Sequence, residues 1–399
     1  MTSTRQTTIV KPGTARLVAS SVLLLAAGVL PVHLVGALAP TLQTELGFND
    51  AQLGFLVAAF FGVAALLTTR GGALNDRIGP NRALRNASLV SIAALSFIAL
   101  FVNSYLSLLG FVIFATLGNS VSQPGTNVLI SAGVRENRKG FAFGAKQAGV
   151  PVSTLIGGLS ARFIVDAWGW RYAFGAAAMV GVVAILIMPK VPHDAEQVRR
   201  HADFSSSEKR ALYLLAVVGV GGAAAVAPIP AFIVRSAIES NVSDATAPLI
   251  LIGGSVLLIL VRTLSGFSAD LYKFDRFAAI IPLLLFGFLG YLLLGVGSPI
   301  ATFFGAVLAF GGGWGWPGLF NLGVVERFPR RPGAASGIIQ MGVFAGAVIG
   351  PAIFGLLAEH ASYRLAWISS AVWTLSAVAA MVVARRALAV AEPPDLSAL

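Results

Sequence analysis

Twelve apolar runs alternate with short polar connections along the chain, at about 17–39, 51–70, 84–103, 106–131, 140–163, 171–189, 211–233, 246–265, 277–297, 300–323, 333–357 and 364–384. A helix rising 1.5 Å per residue needs about 20 apolar residues to cross roughly 30 Å of hydrocarbon, and each run is near that length. The first follows Arg5, Lys11 and Arg16 as a signal peptide would, but at about 23 residues it is too long for a signal core. The alternation of a membrane barrel is missing, and a helix satisfies its own backbone hydrogen bonds in lipid. The pattern predicts an all-α integral membrane protein with twelve transmembrane helices.

The polar punctuation repeats at an offset of 193 residues. Gly140-Phe-Ala-Phe-Gly144-Ala-Lys146-Gln147-Ala-Gly149 has its counterpart in Gly333-Ala-Ala-Ser-Gly337-Ile-Ile339-Gln340-Met-Gly342. In the same register Pro124-Gly125 falls on Pro317-Gly318, Asp166 on Glu359, and Trp170-Arg171 on Tyr363-Arg364. The chain therefore reads as two pseudo-symmetric six-helix bundles, 1–189 and 211–399, joined by a cytoplasmic linker at 190–210. Lys146 breaks the symmetry, since Ile339 stands opposite it.

Composition agrees: 56% of residues are hydrophobic and 11% charged, where a soluble domain has about a quarter charged. The net charge of +11 would suggest nucleic acid in a soluble protein, but here the basic residues sit in the connections. Alternate connections and the tails hold 22 of the 28 Lys and Arg, against four on the opposite side (Arg162, Arg171, Arg235, Arg364). The positive-inside rule then predicts a multi-pass protein of the cell membrane with both termini in the cytoplasm. No cysteine is present and the four histidines are scattered, so no cofactor or metal site is expected, and no catalytic group points to an enzyme.

Between the second and third runs stands Gly72-Ala-Leu-Asn-Asp76-Arg77-Ile-Gly79-Pro-Asn-Arg82, and at the matching place in the second half Gly266-Phe-Ser-Ala-Asp270-Leu-Tyr-Lys273. GxxxDRxG in the second connection of a duplicated twelve-helix chain resembles the signature loop of the major facilitator superfamily, and the likeness spans essentially the whole chain. Pro80 and Asn81 replace residues that are usually basic there, and the second copy lacks the later glycine. The resemblance implies secondary transport by alternating access. It also implies a latch in which Asp76 faces the start of helix 11 near Gly333, and Asp270 the start of helix 5 near Gly140. Gly72, Gly79 and Arg77 belong to the same loop; a positive-inside turn with no latch is the alternative.

Polar groups inside spans are the candidates for a substrate site, because lipid-embedded polar side chains turn inward as interhelical contacts or as a cavity lining. Asn119, Gln123 and Asn127 recur at every fourth position of helix 4, on one stripe. Lys146, roughly 9 Å into helix 5, is expected at their level with Gln147 beside it, although a lysine there can also snorkel. Arg262 lies about four residues from the end of the eighth run and is expected to snorkel or to join the latch rather than touch substrate. His33 is the titratable group of suitable range in the first run. Trp316 and Asn321 follow the helix-weakening Gly311-Gly-Gly in helix 10, and Gln340 lies in helix 11. The pairs Asp166 with Arg171 and Glu359 with Arg364 read as clamps at the outer helix ends.

No acidic residue lies within a span, so two intramembrane cations, Lys146 and Arg262, are uncompensated. The expected function is secondary transport of a small organic anion across the cytoplasmic, or inner, membrane, with a proton as the candidate coupling ion and no oligomer required. Efflux of neutral, drug-like compounds by the same fold is the alternative; a membrane receptor without transport is a third. No Walker loop is present, so ATP is not the expected energy source.

Overall fold

The structure is a computed structural model, and it describes residues 13–134, 138–190, 204–329 and 332–390. The helices of the first half are α1 (Thr14–Ala37), α2 (Ala39–Leu46), α3 (Asp50–Ile78), α4 (Pro80–Phe101), α5 (Tyr105–Gly133), α6 (Lys139–Gln147), α7 (Gly149–Phe163), α8 (Val165–Trp168) and α9 (Trp170–Ile187). Those of the second are α10 (Ser206–Val226), α11 (Ile229–Glu239), α12 (Ala247–Leu271), α13 (Arg276–Leu294), α14 (Pro299–Leu308), α15 (Pro317–Arg327), α16 (Pro332–His360) and α17 (Tyr363–Val390). Among the described residues ten helical stretches are long and apolar enough to cross a membrane. The remaining two crossings are broken helices, α6 with α7 and α14 with α15, which brings the crossings to the twelve of the sequence pattern. Most of the 190–210 linker lies outside the described residues.

Both breaks have local causes. Pro151 has no N–H, so the carbonyl of Gln147 four residues earlier has no helical donor, and the helix bends at Ala148. In the tenth crossing the glycine run relaxes into a π turn, Ala309–Gly313, whose closing bond runs from the Trp314 N–H to the Ala309 carbonyl (2.9 Å). Pro317 then starts α15 at its first position.

Helices also outrun their apolar stretches. Asp76 and Asp270 lie in the last turns of α3 and α12 rather than in loops, and a single residue, Gly79, separates α3 from α4. Its φ of 80° and ψ of 149° are nearly closed to other residues, which accounts for glycine there. Gly72 has no neighbour that an added Cβ would meet, whereas its second-half counterpart Gly266 does, with Gly140 and Gly144.

In α1, 83% of the apolar window is buried in protein, and 72% in α10–α11, against 39–50% for the other eight. The first helix of each half is thus central, shielded by the rest from lipid. The start of α1 meets the end of α9 (Arg16 Nε to the Ile187 carbonyl, 2.9 Å), and the end of α17 meets the start of α13 (Arg385 Nη2 to Asp275 Oδ2, 2.8 Å). These contacts define one face, called here the terminal face.

On the far face the halves are sutured. The Asp50 N–H, at the start of α3, donates to Glu359 Oε2 (3.0 Å), and the Tyr363 hydroxyl donates to Asp50 Oδ2 (2.6 Å). The clamps expected at this level are different in the structure. Arg171 donates to the Val102 carbonyl (2.8 Å) and lies 4.2 Å from the Trp170 ring, and among the described residues no ion pair joins it to Asp166 or joins Arg364 to Glu359. A carboxylate finds more in a helix N-terminus, where N–H groups are free, than in a water-exposed arginine.

Candidate functional site

A cavity of about 130 Å³ lies between the halves. Its walls come from α1 (Val29, His33), α3 (Phe61), α5 (Asn119, Gln123), the bend after α6 (Gln147, Val150), α10 and α11, Arg262 of α12, the broken tenth crossing (Trp314, Trp316, Pro317, Phe320, Asn321) and α16 (Gln340, Phe344). Among the described residues that line it there is one side chain of fixed charge, Arg262, and no carboxylate.

Arg262 is the main departure from the sequence reading. It is 2% exposed, enclosed by protein rather than extended to the surface. Nη1 donates to the Gln147 carbonyl (2.7 Å) and Nη2 to the Trp314 carbonyl (3.0 Å). The first is the carbonyl released by Pro151; the second lies in the break of the tenth crossing. One guanidinium therefore ties a first-half bend to a second-half break, with its carbon 5.7 Å from the centre of the Trp314 ring. Its Nε–H has no partner.

Lys146 is 1% exposed and is not among the residues lining the cavity. Nζ donates to Asn127 Oδ1 (2.7 Å) and Gln123 Oε1 (3.3 Å), so the amide stripe of α5 solvates the ammonium from one side. Gln123 also faces the cavity, whereas Asn127 is exposed. Lys146 thus sits behind the wall while Arg262 sits in it.

His33 shares a short hydrogen bond, 2.5 Å, between Nδ1 and Ser153 Oγ. The serine has one proton, and it goes to the Val150 carbonyl (2.6 Å). Nδ1 is then the donor, which leaves Nε2 of the neutral ring as an acceptor. The ring meets Trp314 edge on, with centroids 6.5 Å apart.

Asn321 turns its amide back to the Pro317 carbonyl (2.9 Å), while Asn119 Oδ1 and Trp316 Nε1 are buried without partners. Gln147 and Gln340 also border the space. The aromatic walls Phe61 and Phe344 were not legible as site residues, because nothing separates them in sequence from the other phenylalanines of the spans, whereas Phe320 follows the glycine–proline run of helix 10. Trp314 stood in the helix-weakening run, but that its carbonyl holds Arg262 depends on the fold alone.

The latch residues divide. Asp270 accepts hydrogen bonds from the Gly140 N–H (3.0 Å, to Oδ1) and the Phe141 N–H (2.8 Å, to Oδ2) at the start of α6. An anion at a helix N-terminus is favoured by the free N–H groups and the helix dipole. Beside it α6 and α12 nearly touch through glycine: a Cβ on Gly144 would lie 2.8 Å from the Arg262 carbonyl oxygen and 3.0 Å from Gly266 Cα. The side chains of Asp76 and of the first residues of α16 lie outside the described residues; Arg77 is exposed.

This architecture has relatives. The crystal structure of a bacterial homologue of the human lysosomal transporter Spinster, inward-facing and unoccupied, is similar with a TM-score of 0.69 at 15% identity, over 95% of this chain and 98% of that one. The voltage-gated purine nucleotide uniporter SLC17A9 of Rattus norvegicus is 28% identical over 141 residues, 33% of this chain and 31% of the relative. The multidrug resistance protein MdtG of Dickeya zeae (strain Ech586) is 28% identical over 134 residues, 34% of this chain and 32% of the relative. These sequence matches span about a third of each relative's length. The family model described as Major Facilitator Superfamily matches residues 18–322, most of the chain, and with the fold described above this establishes that the chain belongs to the major facilitator superfamily.

Proposed function

We propose that this transporter moves a small organic anion across the cytoplasmic membrane by alternating access between its two six-helix halves. The observation that carries the reading is Arg262: a charge buried in a cavity wall that offers no carboxylate, with its Nε–H unpaired. Buried cations are held at a cost of several kcal/mol unless something compensates them, and carbonyl dipoles compensate less than an anion does. Both termini face the cytoplasm on this reading, no second subunit is needed, and a proton is the candidate coupling ion. Asp270 on α6, and by symmetry Asp76 toward α16, latch the terminal face.

A second reading, efflux of neutral drug-like compounds, is favoured by the aromatic walls and by the similarity to a multidrug resistance protein. The two part on charge. Purified protein is screened for thermal stabilisation by organic anions and by neutral drugs, and active ligands are carried into proteoliposome uptake. Anions should stabilise the wild type and not Arg262→Gln. Stabilisation and transport of neutral compounds, unaffected by Arg262→Gln, would replace the anion reading by the second one.

A further inference from the structure

The walls and the charge of the cavity narrow the ligand beyond "anion". A ligand's charges must be matched in number once it leaves water, because an unmatched charge in a low-dielectric site costs several kcal/mol. The cavity wall provides one fixed positive charge, Arg262. Lys146, next in sequence to the wall residue Gln147, lies behind the wall, its ammonium held by Gln123 and Asn127. The donor pattern is equally specific. Of the five guanidinium N–H groups, bonds to Gln147 and Trp314 use two, and Nε–H is buried without an acceptor. A carboxylate accepts from two N–H groups of one guanidinium in a planar fork, and three of the five are left by those two bonds. Trp316, which also borders the space, has its Nε1–H buried without an acceptor.

Beside the amides and His33, much of the wall is aromatic. Trp314, Trp316, Phe320, Phe61 and Phe344 all border the space. Indole and phenyl faces gain most from another flat ring, by offset stacking or edge contact, over and above the area they bury.

Building on the anion reading, we infer that the ligand is a small monocarboxylate whose body is a flat aromatic ring, its carboxylate on Arg262 and its ring among Trp314, Trp316 and Phe320. A polyanion such as a nucleotide is excluded by charge count, even though one relative is named for purine nucleotides.

The probes are benzoate, cyclohexanecarboxylate, benzamide, acetate and phenyl phosphate, titrated calorimetrically into the purified full-length protein at pH 7.5. Benzoate should bind, and benzamide, its neutral isostere, roughly 10- to 100-fold more weakly, the factor expected for losing a charge-assisted pair. Cyclohexanecarboxylate, acetate and doubly charged phenyl phosphate should all bind more weakly than benzoate. In Arg262→Gln, benzoate should fall to the level of benzamide, and Arg262→Lys should restore only part of the difference because it lacks the fork. If acetate, cyclohexanecarboxylate or phenyl phosphate matches or exceeds benzoate while Arg262→Gln abolishes binding, the aromatic monocarboxylate is wrong and the anion reading stands. If benzamide equals benzoate and Arg262→Gln changes neither, both fall. Absence of benzoate binding to well-folded protein up to tens of millimolar also overturns the inference.

Discussion

Gly54 in α3 lies where the far-face suture is tightest, and replacing it with alanine should pry that face open. A Cβ built there would stand 2.3 Å from the carbonyl oxygen of Pro351, 3.1 Å from Gly355 Cα and 3.2 Å from the Pro351 carbonyl carbon, all on α16 of the other half. Every one of these is a backbone atom, so no side chain can rotate away and the helices themselves must part, by about 1 Å if carbon and oxygen are to regain ordinary contact at roughly 3.2–3.5 Å. Overpacking of this kind costs about 1–3 kcal/mol. In a two-state equilibrium that shifts the ratio of far-face-closed to far-face-open molecules about 5- to 150-fold. Parting the helices also stretches the Asp50 N–H bond to Glu359 and the Tyr363 bond to Asp50, which stand at the same level.

Gly62, two turns along α3, supplies the control. A Cβ there meets only Val348 Cγ2, at 3.5 Å, an ordinary contact with a movable methyl. The chain has no cysteine, so a single reporter can be introduced without background. Ala347→Cys, in the cavity wall, is suitable. A membrane-impermeant maleimide applied from the far face should label it faster in Gly54→Ala than in the parent, and at the parental rate in Gly62→Ala. Equal labelling in Gly54→Ala, with unchanged transport, would show that the two halves do not separate along this seam, and the alternating-access argument built on it would fail.

On the opposite face, Asp270→Asn keeps the shape but removes the charge at the start of α6, worth about 0.3–2 kcal/mol; turnover should drop and labelling from the terminal face should rise, with ligand affinity little changed. Lys146→Met should weaken anion binding by less than about tenfold, because the ammonium acts through Gln123 rather than by contact, whereas a contact cation lost at Arg262 gives about 10- to 100-fold; calorimetry on the two variants ranks them. At Asp275 partial burial raises the carboxyl pKa, but the Ala278 amide, Arg385 and the Phe277 amide together more than offset it and hold the group below the usual range. Its contribution to stability is therefore complete above the unfolded value of about 3.9 and is lost as pH falls through the lower folded value. Thermal unfolding of the detergent-solubilised protein between pH 3 and 7 should show that acid loss, and Asp275→Asn should be lower in stability at pH 7 and flatter at the acid end.

The number of crossings was legible because lipid imposes it. A span must be about 20 apolar residues, and the chain shows twelve such runs whether or not a helix bends within one. Bends are another matter. Gly311-Gly-Gly and Pro317 announced the break in the tenth crossing, but Pro151, which bends the fifth, sat in a run that hydropathy alone reads as continuous. Chemistry at the outer ends was misassigned for a related reason. The symmetry of the repeat suggested pairing Glu359 with Arg364, yet an exposed pair is worth little, and the free N–H of Asp50 comes from more than 300 residues away.

Arg262 shows how an apolar run misplaces a site. The eighth run ends at about residue 265, because Gly266, Ser268 and Asp270 dilute it, so Arg262 seemed to lie within a turn of the surface. The helix does not stop where the hydrophobicity does: α12 continues to Leu271, nine residues beyond Arg262, or roughly 13 Å at 1.5 Å per residue. Those last turns can afford polar residues because Asp270 is spent on the α6 N-terminus and Gly266 on contact with Gly140 and Gly144. Interhelical contact, invisible to a hydropathy count, is thus what carries α12 past its apolar end and leaves its arginine at the depth of the cavity. The same logic applies to Lys146 in reverse. It stands level with the amides of α5, but level does not fix azimuth, and Gln123 and Asn127 draw the ammonium toward α5 and away from the space that Arg262 borders.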